Sequence, residues 1–335
     1  MHVLSFLSWR LGYNKIMAKQ IAPYQAAVTV NNEILSSACN IAFETGRLSL
    51  SPSFRVDEET LFQEVKASFA LEGVSFTPSQ ARALKRGENI PGIPEASALL
   101  RLYAKMGRID PYDLGFVDEF ASALFPDGVP SRMSRRVETF PYPIPLHAKI
   151  LPMLKGFYSF AKSGKERHPL LLSALFYFEI MAIQPFSRYT KILALYLMKA
   201  ILVSYAKEFA NVPVVSLFAQ KAQELEDAYR LSVETADTAP FVLAALRLVE
   251  RATLSAQRKG MRQKNEGTPL ARKLVSKMED GRFYSAVELL GLLGLTSRLG
   301  LSKNYLHPAL EAGLIEMANP LTPTDRNQRY RKVSQ

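Results

Sequence analysis

Four histidines stand far apart in this chain and Cys39 is its single cysteine, so the residues able to handle a ligand gather elsewhere, in one short loop. From His168 to Met198 the sequence reads HPLLLSALFYFEIMAIQPFSRYTKILALYLM, two apolar stretches around a polar turn. Gln184, Ser187, Arg188, Tyr189, Thr190 and Lys191 are the polar residues of that turn, and Arg188 and Lys191 are cations able to attract a phosphate. Gln184 does not titrate near neutral pH, so its amide can hydrogen-bond but cannot act as a base. No histidine lies within 15 residues of it. His2, His147, His168 and His307 never fall at metal-ligand spacing on a helix, and no metal site is expected.

Helices must carry this loop. Apolar residues recur at spacings of three and four almost throughout, which predicts a mainly α chain with helices near 24–45, 57–72, 78–86, 94–106, 114–124, 146–161, 169–183, 191–210, 215–234 and 240–255. The most apolar of these, 169–183, contains Glu179 and is shorter than the roughly 20 residues a bilayer requires, so it is read as a core helix of a cytoplasmic protein, with no membrane partner. Residues 125–145 break the pattern with Pro126, Pro130, Pro141, Pro143 and Pro145, which excludes helix and leaves a loop or short hairpin. Four domains or segments follow: an N-terminal extension over 1–23, a helical domain over 24–254, a polar basic linker over 255–269 and a C-terminal module over 270–335.

The helix–loop–helix layout resembles the core of the Fic (filamentation induced by cAMP) family, in which a helix ends in H-P-F-x-D-G-N-G-R-x-x-R and the next helix follows at once. Pro185 and Phe186 keep that pattern. Gln184 stands at the histidine, Arg188 at the acidic metal ligand, Tyr189, Thr190 and Lys191 at G-N-G, and Ile192 and Leu195 at the two arginines; a one-residue gap would instead set Ser187 at the acid and Lys191 at the first arginine. A second resemblance is Ser68-Phe-Ala-Leu-Glu72-Gly73, which fits the family's inhibitory helix pattern [S/T]-x-x-x-[E/N]-G, and the segment 129–145 stands where the family has its flap. In the family the inhibitory glutamate pairs with the second motif arginine; here that position is Leu195, so Glu72 needs Arg188 or Lys191 instead.

The resemblance implies a Fic-type helical bundle with a short β-hairpin flap, and a catalytic loop stripped of its base, its metal carboxylate and its arginine. Tyr189 in place of a glycine would also obstruct the backbone cradle for phosphate. Each such contribution is commonly worth ~10² to 10⁴ in rate, so transfer is expected to be lost or strongly impaired. ATP and Mg²⁺ are implied as cofactors only where the pocket still functions. The competing readings are an AMP transferase acting on a protein hydroxyl through an unusual site, and an interaction scaffold.

After the linker, helices near 271–278 and 286–293, an N-cap at Thr296, a helix interrupted by Pro308 and capped at Gly313, and strands at 314–317 and 328–332 predict a winged-helix domain, and the run from His307 with Asn327-Gln-Arg-Tyr-Arg resembles winged-helix ends attached to Fic proteins. Of the formal charge of +11, +7 lies in residues 255–335, where 14 Lys and Arg face 7 Asp and Glu. Double-stranded DNA is thus one expected partner, contacted by Ser297, Arg298, Ser302, Lys303 and Asn304 on or before the recognition helix and by Arg326, Gln328, Arg329, Arg331 and Lys332 on the wing. A protein target of the helical domain and a second copy of the chain are the others.

Overall fold

The computed structural model describes residues 28–49, 56–90, 92–128, 144–163, 168–320, 322–323 and 325–333, with the backbone alone over 259–266. The N-terminal extension 1–23 and most of the flap segment, 129–143, lie outside the described residues. The chain is mainly α and divides into two compact units, 1–256 and 257–335.

In the first unit, α1 (Asn32–Ser49), α2 (Glu58–Ala70), α3 (Pro78–Lys85), α4 (Pro94–Lys105) and α5 (Gly115–Leu124) precede α6 (His147–Ser163) and the central pair α7 (Pro169–Ile183) and α8 (Thr190–Tyr205). Then come α9 (Val214–Gln220), α10 (Ala222–Thr235) and α11 (Ala239–Glu266). Local chemistry sets many of the starts. Asp57 caps α2 by accepting the Glu59 N–H at 3.2 Å, Thr77 and Gln80 form a reciprocal capping box on α3, and proline opens α3, α4 and α7. The pair α7 and α8 is apolar all round, so both helices sit inside the unit with neighbours on every side.

Three expectations change here. The helix expected over 191–210 ends at Tyr205, where Ala206 turns extended and a short 3₁₀ turn, Lys207–Asn211, follows. The one expected over 215–234 is two helices that meet at Lys221. The basic linker is a helix up to Glu266: the stretch after Ser255 has no proline and is rich in Ala, Gln, Arg, Lys and Met, good helix formers whose polarity imitates a linker. The break comes at Gly267, which needs φ +68° and lies so close to its surroundings that an added Cβ would meet Leu314 Cδ1 at 2.6 Å.

The second unit contains α12 (Pro269–Lys277), β1 (Tyr284–Ser285), α13 (Ala286–Leu293), α14 (Arg298–Leu301), a π turn (Ser302–Leu306), α15 (His307–Glu311), β2 (Ile315–Met317) and β3 (Arg329–Lys332). The strands form an antiparallel sheet in the order β1-β3-β2, with Tyr330 facing both Tyr284 and Met317. Ala271, Leu274, Leu289, Leu301, Ala309 and Ile315 are buried together beneath it. The cap of α14 is Ser297 and not Thr296, because the Ser297 hydroxyl accepts the Gly300 N–H at 3.1 Å. Pro308 does not interrupt the helix. The wider π turn just before it relieves the clash that proline makes with the preceding turn.

Candidate functional site in the loop between the central helices

Two residues with left-handed backbone bracket the loop. Gln184, at φ 49°, ends α7, and Tyr189, at φ 66°, precedes α8. Such conformations cost non-glycine residues about 1 kcal/mol or more and persist where surrounding contacts over-determine them. At Gln184 the contacts are internal to α7: the side chain is buried, its Nε2 donates to Met181 O at 2.8 Å and its backbone N–H to Ile180 O at 2.9 Å. The amide therefore points back into its own helix. Across the turn, the Thr190 hydroxyl donates to Phe186 O at 3.1 Å and accepts from Phe186 N–H at 3.3 Å. Phe186 stacks on Phe120 and meets Phe125 edge-on, at centroid distances of 6.4 and 5.4 Å.

Tyr189 fills the space above the turn. Its ring stacks on Phe125 and packs edge-on against Phe69 of α2, each at 5.7 Å, and its hydroxyl donates to Glu95 Oε1 at 3.4 Å. Burial first, and then the charge of Glu95, push the Tyr189 hydroxyl up to about 12. Arg188 forms an ion pair with the same Glu95 carboxylate, in the first turn of α4, and lies over the Tyr189 ring at 4.4 Å. A divalent metal does not fit here, since a guanidinium already paired with an acid stands where a carboxylate ligand would be needed.

Glu72 completes the arrangement from α2. Gly73, at φ 75°, closes that helix by donating its N–H to Ala70 O at 3.0 Å, and the turn presents the half-buried Glu72 to the start of α8. Burial raises the Glu72 carboxyl above its ordinary value, and the offsetting influences, strongest first, are the charge of Lys191, hydrogen bonds from the backbone N–H groups of Tyr189 and Lys191, and the charge of Arg188. An acid thus stands beside the helix N-terminus that an incoming anion would use. Lys191 is its main charge partner. Leu195 and Ile192, at the arginine positions of the resembled motif, are fully buried in the core. Lys191 also lines a cleft of about 230 Å³ with Leu71, Tyr177, Gln223, Glu226 and Tyr229.

The register between α2 and α8 is set further along both helices by a pair that the sequence reading missed. Lys199 Nζ meets Glu64 Oε2 at 2.8 Å, with both side chains essentially out of contact with water. Glu64 also accepts the backbone N–H groups of Val215 and Ser216, at 3.2 and 3.0 Å, and Lys199 donates to Val212 O. Ser68, expected in the inhibitory pattern, is buried and bonds Glu64 O at 2.9 Å and Tyr103 at 3.3 Å, so it fastens α2 and does not face the loop. Glu95 and Phe125 were also missed.

In the second unit the expected contact residues divide into two groups. Arg298, Lys303, Asn304, Arg326 and Arg329 are exposed. Arg331 pairs with Glu316, Lys332 pairs with Asp280 at 2.9 Å, Ser302 is half-buried, and Ser297 is spent as a cap. Gln328 has to be withdrawn as a DNA contact. It is buried, its Nε2 donates to Asn319 O at 2.8 Å and Thr322 O at 3.3 Å, and its Oε1 accepts the Asn319 N–H at 3.0 Å, which uses its amide inside the β2–β3 connection. No group of three or more His, Cys, Asp or Glu suited to a metal occurs among the described residues, and none of the described helices is long and apolar enough to cross a membrane.

Residues 270–332 match the family described as Filamentation induced by cAMP protein Fic-like, C-terminal domain. No curated protein matches the chain. Among solved structures, a Fic family protein from Desulfovibrio desulfuricans G20 superposes with a TM-score of 0.62 at 23% identity, over 93% of this chain and 99% of that one. The family match covers the C-terminal residues, and the likeness along the rest of the chain is one of fold.

Proposed function

We propose that this chain, with a Fic fold and a Fic-like C-terminal domain, is a binding protein that has given up nucleotide transfer. The observation that carries the reading is the half-buried carboxyl of Glu72, which stands beside Lys191 and Tyr189 at the head of α8 in a loop that offers no base. Gln184 cannot accept a proton and is turned into its own helix; Arg188 is held by Glu95; Tyr189 fills the turn. Removing base, metal ligand and arginine together leaves nothing to activate a hydroxyl or to neutralise charge building on a transferred phosphate. The test is calorimetric titration of ATP with Mg²⁺ into the wild type and Glu72→Gly, followed by labelled ATP to detect covalent transfer. Absence of label in both agrees with the proposal, and label in either overturns it in favour of an AMP transferase with a different base.

The same reading assigns nucleic-acid binding to the second unit, as a winged helix. Its support is the exposure of Arg298, Lys303 and Asn304 along α14 and the π turn, with Arg326 and Arg329 on the β2–β3 connection and β3. Binding of a DNA duplex should weaken steeply with salt, and Lys303→Ala should lower the slope of log K against log salt by about 1. A slope near zero would favour the scaffold reading.

A further inference from the structure

Helix α1 has two apolar faces, and among the described residues only one of them is covered. Ile34, Ala38, Ile41 and Thr45 are buried, and Ser37 and Asn40 fasten the helix to Glu250 of α11, each at 2.8 Å. At about 100° per residue, Leu35, Cys39 and Phe43 form a stripe on the other side. Leu35 is 51% and Phe43 67% exposed, and Cys39 is exposed between them. The residues beside the stripe, Ser36, Ala42 and Gly46, are small enough to admit a second helix closely. Glu33 and Arg47 lie on one flank of it, at opposite ends. Glu33 now pairs with Arg247 at 3.3 Å, an exposed ion pair that costs little to exchange, and Arg47 with the half-buried Glu44 at 3.2 Å.

We propose that two copies of this chain pair through α1, antiparallel, about a two-fold axis passing by Cys39. In that arrangement Leu35 of each copy packs on Phe43 of the other, and Arg47 faces Glu33 across the shared flank, as the self-complementarity of a two-fold interface requires. A parallel pairing would instead put the Glu33 and Arg47 of the two copies on opposite sides of the seam, where neither meets a partner across it. The charge pattern of the stripe matches its own reverse, which is why the partner is a second copy. With helix axes about 8 to 10 Å apart, the two Cys39 thiols come within disulfide reach. An 18-residue helix is about 27 Å long, which places the interface at the small end of the specific range and the association in the micromolar region.

The experiment is sedimentation of the full chain from about 1 to about 100 µM, with mild oxidation of parallel samples. A reversible dimer is expected, together with a disulfide-linked dimer, which has to join Cys39 to Cys39 because the chain has no other cysteine. Phe43→Glu should weaken the dimer at least about tenfold with helical content unchanged. Glu33→Arg and Arg47→Glu should each weaken it, and the two together should restore it. A dimer indifferent to Phe43→Glu overturns the proposal, as does a monomer throughout the range. A monomer whose Cys39 reacts with maleimide only after removal of residues 1–27 would assign the stripe to the chain's own N-terminal segment instead.

Discussion

Replacing Lys199 by Met keeps the length and most of the apolar volume of the side chain and removes only its charge. Glu64 would then be left in a place from which water is excluded, without the ammonium that now lies 2.8 Å away. Breaking one partner out of a buried pair commonly costs ~3 to 5 kcal/mol. The backbone N–H groups of Val215 and Ser216 still serve Glu64, at 3.2 and 3.0 Å, which favours the lower end. In a unit of this size that loss corresponds to a fall of roughly 6 to 20 °C in Tm. The Glu64→Gln/Lys199→Met pair removes both charges and keeps an amide oxygen for the N–H groups, so its cost should be smaller than the sum of the two single costs by at least about 1 kcal/mol. Scanning calorimetry and urea unfolding followed by circular dichroism measure both quantities. A Lys199→Met penalty below about 1 kcal/mol, or strictly additive variants, would refute the assignment of this pair as the strut that registers α2 against α8.

Two further outcomes test the loop itself. Because burial raises the Glu72 carboxyl above its ordinary value of 4.5, the folded chain holds that proton to higher pH than the unfolded chain, and stability falls as pH rises from the unfolded towards the folded value. Glu72→Gln should therefore be more stable than the wild type by a constant margin above that window, with the margin gone below pH 4.5 in paired pH-dependent unfolding curves. Tyr189→Gly relieves the left-handed backbone, worth about 1 kcal/mol, but forfeits the contacts with Phe125 and Phe69, so a net loss of about 1 to 3 kcal/mol is expected in urea unfolding.

Element type was legible along nearly the whole chain because helical periodicity marks most of the helices, and the strand pair 314–317 and 328–332 announced itself through flanking turn residues. What escaped were features decided by partners distant in sequence. Lys199 is the one charge in the apolar run from Ile192 to Val203, a visible anomaly, but nothing in its neighbourhood indicates that its carboxylate stands 135 residues earlier. Gln328 looked like a base reader because it sits among arginines on an expected wing; its burial follows from the path of the β2–β3 connection, which only the folded chain reveals. The linker was misread because solvent-facing helix and exposed linker share a composition, and proline, which separates them, is absent from the stretch after Ser255 until residue 269.

In the loop, backbone and chemistry part company. Tyr189 occupies, with φ 66°, a place where the resembled motif has a glycine, so the chain retains the left-handed turn that glycine would make easy while giving up the open space above it. A loop that had merely decayed would be expected to lose the strained conformation first, since relaxing it gains about 1 kcal/mol or more. It persists because the replacements form a closed set. Arg188 and the Tyr189 hydroxyl share Glu95 from α4, the Tyr189 ring is gripped by Phe69 and Phe125, and Glu72, in the turn after α2, stands beside Lys191 at the head of α8. Acids from α4 and from the turn after α2 thus offset, from inside the protein, the positive charge that would otherwise recommend the site to a phosphate. On this argument the loop joins α2 and α4 to the central pair, and a substitution there should register in folding before it registers in any ligand titration.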